Sequence, residues 1–427
     1  LMGAMDANFT FRDTETDPSV VESAAGVSAL TAINIVNTSK VDGFSFFTPS
    51  TVSPSASIIT VYIEDCSDAF EFSNNVVLSD DAEDGVDGSL GTDGVDGGDG
   101  ENGMDGGQFN CNQDSYDGGA GGTNVGLQSG SLDGGFGASQ ICPDVTYTWR
   151  GVTSRQDQPT GSDGNGSLPG IGGEGSCDLL FGSNCGTCYV DSCATSGEDG
   201  TPGGDGSDGT GGSGASITGG FNGTEWVTTG GVSGADASDG SGGGGGGAGS
   251  GAESACSSSQ EHAGGSGGGG GAGGSAGAGG VSGTGGGSSF AIFVNCTTCT
   301  SLPILFNNDI TAGDGGNGGD GGDGGIGGLG GLGGIAGASD KNTAFCSRDG
   351  GYGGDGGFGG DGGGGGAGAG GNSFAVYVNG FTPDPAWANI DNDLDAGLPG
   401  LGGRGGRGGI SRTRAPGGNS SPDSFGG

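Results

Sequence analysis

The sequence predicts an all-β repeat protein with almost no α-helix, in which a short spine of right-handed parallel β-helix-like coils carries four inserted polyglycine-II hairpins forming a bundle. Three observations predict it. Glycine supplies 117 of the 427 residues and recurs at every third position through long runs. Short apolar segments of one rhythm separate those runs, and each run reverses at a cysteine-bearing stretch. Glycine has the most backbone entropy to lose on folding, so this much of it is either disordered or locked in a lattice of backbone hydrogen bonds. Apolar residues make up 30% of the chain, against roughly half in an ordinary domain, so one large conventional core is not expected.

The spine rests on three segments that align, residues 58–80 (IITVYIEDCSDAFEFSNNVVLSD), 290–311 (FAIFVNCTTCTSLPILFNNDIT) and 374–395 (FAVYVNGFTPDPAWANIDNDLD). Each opens on an apolar strand (Val61-Tyr62-Ile63, Ile292-Phe293-Val294, Val376-Tyr377-Val378), passes a polar turn, continues through a second strand containing Asn, and meets Asp or Gly. An internal repeat of about 22 residues marks a stacked architecture. Residues 32–47 (AINIVNTSKVDGFSFF) share the rhythm with no glycine run after them. Coils are therefore expected within 27–80, 288–311 and 372–396, with a further one at 138–155 around QICPDVTYTWRGVT and a weak one at 216–229 around ITGGFNGTEWVTT. Residues 1–26 read as a polar N-terminal arm and 397–427 as a Gly/Arg C-terminal tail.

Between coils the insertions share a plan of arm, tip and arm. Hairpin 1 spans 81–137 with Cys111 at its tip, and hairpin 2 spans 156–215 with Cys177, Cys185, Cys188 and Cys193. Hairpin 3 spans 230–287 with Cys256, and hairpin 4 spans 312–371 with Cys346. Hairpin 4 opens GDGGNGGDGGDGGIGGLGGLGGIAG, where the variable position passes from Asp314, Asn317, Asp320 and Asp323 to Ile326, Leu329, Leu332 and Ile335.

Four conformations compete for such runs. Collagen shares the period but needs abundant Pro, of which the insertions hold very little. A calcium β-roll needs an aliphatic residue two after its Asp, and two after Asp323 stands Gly325. A flexible linker requires neither a strict period nor arms of matched length. Polyglycine II accounts for both: a left-handed helix with three residues per turn and ~3.1 Å rise makes no internal hydrogen bonds, so its N–H and C=O groups must be met by neighbouring arms. In a G-G-x triplet two faces lack Cβ and admit those neighbours, while the third displays x. Eight arms of about 24 residues, each reaching ~75 Å, are expected. The apolar half of the hairpin 4 ridge is expected to be covered within the chain by residues such as Tyr352 and Phe358; left open, it marks an assembly surface.

This run architecture resembles the polyglycine-II sandwiches of long-tailed-phage adhesins and of the glycine-rich snow-flea antifreeze proteins. The mixed repeats SFAVYVN at 373–379 and NNDITAGDGG at 307–316 are similar to those of large glycine-rich surface proteins of myxobacteria and their relatives. The likeness is one of pattern. It implies architecture and carries over no functional residue.

The formal charge is -41, from 51 acidic against 10 basic side chains, which argues against nucleic acid and anionic lipid as partners. Apolar runs fall far short of the roughly 18 residues of a membrane span. No signal peptide is visible, and Leu1 in place of an initiator Met fits an export signal already removed. Eleven Cys, two Lys and six glycosylation sequons, at Asn8, Asn37, Asn165, Asn222, Asn295 and Asn419, point to an extracellular protein. Disulfides are accordingly expected of Cys66, Cys111, Cys142, Cys177, Cys185, Cys188, Cys193, Cys256, Cys296, Cys299 and Cys346, and their odd number leaves at least one thiol free or paired between chains. The four Cys of hairpin 2 could instead hold zinc, but the secreted context favours disulfides. The CxxC of Cys296 and Cys299 lies in a turn, not at a helix start, and reads as structural.

Carboxylates three residues apart on one ridge stand ~9 Å apart, too far to share an ion. Ca²⁺ would be diffuse or held between arms, and no defined metal site is expected. Arg404, Arg407, Arg412 and Arg414 are half of all Arg and gather near the C-terminus, suited to docking on the Asp ridges of a second copy. His262 is the only His, so a His-based catalytic site has little material and no catalytic residue is expected. The expected role is a non-enzymatic structural subunit of a cell-surface appendage or filament, partnered by other copies of itself. An adhesin whose tips bind cell-surface glycans and an ice-binding protein are the alternatives.

Overall fold

The computed structural model describes residues 1–3, 19–109, 116–128, 130–148, 151–181, 192–254, 261–339, 346–381, 392–408 and 425–426. Among them there is no helix, and the long sheets are parallel. Three sheets form a spine in which each rung supplies one strand per sheet. The first rung is Leu30–Ile33, Ser39–Asp42 and Phe44–Thr48; the second is Ile58–Glu64, Phe70–Ser73 and Val76–Ser79. The third is Ser289–Asn295, Ile304–Phe306 and Asp309–Thr311, and the fourth contributes Ser373–Asn379 and Asp393–Asp395. Register follows the sequence repeat, with Val61 beside Ile292 beside Val376, and Val77 beside Ile310 beside Leu394. Ser19–Glu22 extends one sheet beside Phe44–Thr48, and Phe425–Gly426 extends another beside Ser373–Asn379.

Alternation along the strands fills the interior. Val61, Ile63, Ile292, Val294, Val376 and Val378 meet Phe70, Phe72, Val77, Leu305 and Ile310 in one buried cluster, each such side chain stabilising the fold by roughly 1.5–3 kcal/mol. The turn between second and third strands is held by stacked amides. The Asn308 side chain accepts from the Asn75 N–H at 3.0 Å and donates to the Phe72 carbonyl at 2.9 Å, and the Asn392 side chain repeats the relation one rung on, accepting from the Asn308 N–H at 2.9 Å. Just before these amides the chain turns through positive φ at Asn74 (52°) and Asn307 (51°), a conformation that Asn tolerates better than most residues.

Two expected coils lie elsewhere. Within 138–155, Val145–Thr148 pairs antiparallel with Gly151–Arg155 at the far end of the arms. Val145 N–H donates to the Glu253 carboxylate at 2.9 Å there. Residues 216–229 also pair locally, Gly219–Phe221 against Trp226–Thr228, and cover the outer face of the spine. Trp226 and Phe221 join Phe290, Phe293, Phe374 and Tyr377 in an aromatic cluster. Strand character was legible in both segments, but short-range partners captured them.

The glycine arms are bonded sideways to one another at steps of three residues. Gly85, Gly88 and Gly91 donate to the carbonyls of Asn317, Asp320 and Asp323 at 2.7, 2.7 and 2.8 Å. Numbered along the chain, arms 1 to 11 cover 85–106, 118–123, 132–138, 159–164, 170–176, 197–215, 230–250, 263–287, 313–338, 348–371 and 397–407. This is three more than expected. The return of hairpin 1 turns at 124–131 and goes out again, the outgoing part of hairpin 2 folds at 165–169, and part of the expected tail is an arm. Arm 8 bonds to arms 1, 2, 3, 7, 9 and 10, and arm 7 to arms 3, 4, 5, 6, 8 and 10, so both are enclosed over their tip-end parts, residues 239–250 and 263–277. At the tip end a four-stranded sheet, in the order Leu179–Phe181, Ala252–Ser254, Glu261–His262 and Gln108–Phe109, joins three insertions.

Candidate assembly surface

Arms that run parallel are joined by carboxylates as well as by backbone. In a G-G-x arm the N–H of x points away from the lattice toward the surface, and an Asp on the next arm is short enough to meet it. Ile326, Leu329 and Leu332 of arm 9 donate to Asp93, Asp96 and Asp99 of arm 1 at 2.8, 2.7 and 2.8 Å. Tyr352 and Phe358 of arm 10 donate to Asp199 and Asp205 of arm 6 at 2.8 and 2.9 Å. Leu398, Arg404 and Arg407 of arm 11 donate to Asp314, Asp320 and Asp323 of arm 9 at 2.6, 2.5 and 2.6 Å. Much of the acidity along these ridges is thus spent on charge-assisted hydrogen bonds. Among the described residues no group of three or more His, Cys, Asp or Glu could hold a metal ion.

The ridge of arm 9 changes chemistry beyond Asp323, the last carboxylate that holds arm 11 among the described residues. Its base half, Asp314 to Asp323, receives arm 11. Beyond it Ile326, Leu329, Leu332 and Ile335 stand 45%, 58%, 64% and 57% exposed, and Tyr352 and Phe358 beside them are 55% and 53% exposed. Tyr352 and Phe358 therefore do not supply the expected cover: among the described residues, aromatic and aliphatic rows lie side by side and open on one face. Two glycine N–H groups in this half are met by carboxylates of arm 10, Gly327 by Asp361 at 2.9 Å and Gly333 by Asp355 at 2.8 Å, and Gly328, Gly331 and Gly334 donate to carbonyls of arm 8.

No known family, curated protein or solved structure matches this chain. Its surfaces must be read from their own geometry.

Arg404 and Arg407 are exposed on arm 11 beside the apolar face, and Arg412 and Arg414 lie outside the described residues. Cys177 is joined to Cys193 and Cys296 to Cys299. Cys142 and Cys346 are disulfide-bonded as well, whereas Cys66 is a free thiol buried in the spine. Cys111, Cys185, Cys188 and Cys256 lie outside the described residues, as do the tip loops on which the adhesin reading depends. Of the sequons, Asn37, Asn165 and Asn222 are exposed, and Asn8 and Asn419 fall outside the described residues. Asn295 is a correction. It is 1% exposed, donating to Tyr62 Oη at 3.2 Å and accepting from Asn379 at 2.9 Å, so the folded chain leaves no room there for a glycan.

Sequence reasoning missed Asp178, which is fully buried under the tip sheet. It accepts from Gln158 Nε2 at 2.7 Å, Gly251 N–H at 3.1 Å and Asp144 N–H at 3.2 Å. Burial pushes its carboxyl up to about 6 despite these donors. An Asp in the tip sequence 177–193, which also holds Asp191, carries no signal that it will be enclosed.

Proposed function

We propose that this chain is a non-enzymatic extracellular structural protein, a subunit of a cell-surface appendage or filament. In this reading the spine is a right-handed parallel β-helix and the arms are polyglycine II. The observation that carries it is the bonding of arms 7 and 8 to six neighbours each, which turns sequence of high entropy into a stiff bundle with no room for a substrate inside. The three-residue bonding step, the inward alternation of the rungs and the Asn stack support the two architectural assignments. Disulfides suit an oxidising exterior, and no helix among the described residues is long and apolar enough to cross a membrane. A charge of -41 favours solubility outside the cell and contact through its few apolar faces.

Electron microscopy of the purified protein, at rising concentration and with and without reductant, tests the role. Long ordered fibres of one width are expected. Particles that stay single at every concentration and adhere to cells would replace this reading with the adhesin.

A further inference from the structure

The geometry points to an isologous dimer in which two copies pair through the face made by arms 9 and 10, with their arms antiparallel. The inference deepens the structural reading above and rests on it. The face has two properties suited to burial. It presents Ile326, Leu329, Leu332, Ile335, Tyr352 and Phe358, all about half exposed. The backbone beneath is largely satisfied: the N–H groups of the four aliphatic residues donate to Asp93, Asp96, Asp99 and Asn102, and those of Gly327 and Gly333 to Asp361 and Asp355. Covering the face therefore removes apolar surface from water without stranding those polar groups.

Relief and charge decide the orientation. Arm 11 stands as a step one arm high over residues 314–323, and the ladder of carboxylates that holds it runs out at Asp323, since Ile326 offers no acceptor in its side chain. If two copies met with arms pointing the same way, the two steps would collide and Arg407 would face Arg407. A two-fold axis lying across the arms between Leu329 and Leu332 pairs 326 with 335, 329 with 332 and 323 with 338. The step of each copy then falls at or beyond the tip end of the other. Arg407, held at Asp323, arrives over Ala338. That is where a recess of about 610 Å³ opens, lined by Ala338 with Glu198, Asp199 and Asp349. Among the described residues Arg407 makes no ion pair, and Glu198 is exposed. One operator thus buries two apolar rows, clears two steps and joins two sets of opposite charge, as a self-complementary patch must.

Sedimentation velocity over a concentration series is the test. A monomer–dimer equilibrium is expected for the native chain. Leu329→Asp with Leu332→Asp should abolish the dimer without harming the fold, since Asp already occupies the same position at 314, 320 and 323 of this arm; circular dichroism and an unchanged melting temperature verify that. Arg407→Glu should weaken the dimer about tenfold or more, and adding Glu198→Arg should restore it. A native chain that stays monomeric, as it would if its own residues 409–424 covered the face, overturns the proposal, as does a dimer indifferent to the double Asp variant. Filaments that persist in that variant would refute this dimer and leave the structural reading standing. A dimer with no filaments would do the reverse.

Discussion

The carboxylate of Asp323 accepts the backbone N–H of Arg407 at 2.6 Å, and three residues further along the same ridge Ile326 offers an alkyl chain in its place. Acid and glycine serve one purpose up to that point. Glycine lets the arms touch, and Asp satisfies the N–H that touching leaves over.

The enclosed arms accommodate Ala272 and Ser241, but should tolerate no side chain at a glycine where a neighbouring carbonyl fills the place of its Cβ. A methyl on Gly270 would fall inside contact distance of the Gly243 carbonyl, in a place with only backbone around it and nothing able to give way. Gly270→Ala is expected to cost more than about 3 kcal/mol or to prevent folding. Thermal melting with Gly130→Ala as comparison checks this; Gly130 has open space around it but a φ of 78°, so its cost should be only about 1 kcal/mol.

The Asp ladder should depend on the acceptor more than on the charge. Asp96→Asn keeps an oxygen for the Leu329 N–H, now held at 2.7 Å, and is expected to be nearly neutral. Asp96→Ala leaves that N–H to water and should lower stability by about 1 kcal/mol. Denaturant melts of both variants, with hydrogen exchange at Leu329, separate the two roles.

The Asn stack should be the most sensitive polar feature of the spine. Asn308→Leu removes the acceptor for the Asn75 N–H and the donors to Phe72 and Asn392. Stranding buried groups costs about 1–3 kcal/mol each, so the melting temperature should drop by well over 5 °C. A fall no larger than that of an exposed Asn37→Leu control would show that water substitutes for the amide.

Asp178 should make the tip end more stable in mild acid. Its folded carboxyl titrates near 6, above its ordinary value, so the folded state holds the proton more tightly than the unfolded state. Its contribution is therefore complete below about pH 4 and lost as pH rises through 6, an interval corresponding to about 3 kcal/mol. Asp178→Asn should flatten this trend over pH 4–7, read by proteolysis or hydrogen exchange around 252–254. An unchanged trend in the variant would assign it to other carboxylates.

Much of this was legible in the sequence where repetition spoke. The register of Val61, Ile292 and Val376 follows from aligning three segments, and the three-residue bonding step follows from the glycine period. The arm count was not legible, because the turns at 124–131 and 165–169 are marked only by short breaks in that period around Asn124 and Asn165. The destination of 138–155 was hidden for a different reason: alternation shows that a segment can form a strand, while the acceptor for Val145 is Glu253, over a hundred residues away. For Ile326 to Ile335 the pattern announced an apolar ridge correctly, but its exposure depends on how arms 1 and 10 are placed beside it. Nothing local to the ridge encodes that.

The enclosure of arms 7 and 8 by other backbone has a calorimetric consequence. Unfolding an ordinary domain exposes mainly hydrocarbon and raises the heat capacity, whereas exposing peptide groups lowers it. Melting this bundle releases long stretches of buried peptide whose side chains are few and small, such as Ser241 and Ala272, so its heat-capacity increment per residue should be well below the usual ~12–15 cal/mol/K. A small increment flattens the stability curve. The arms would then hold nearly the same free energy in the cold as in the warm, and give way on heating by the entropy that glycine regains.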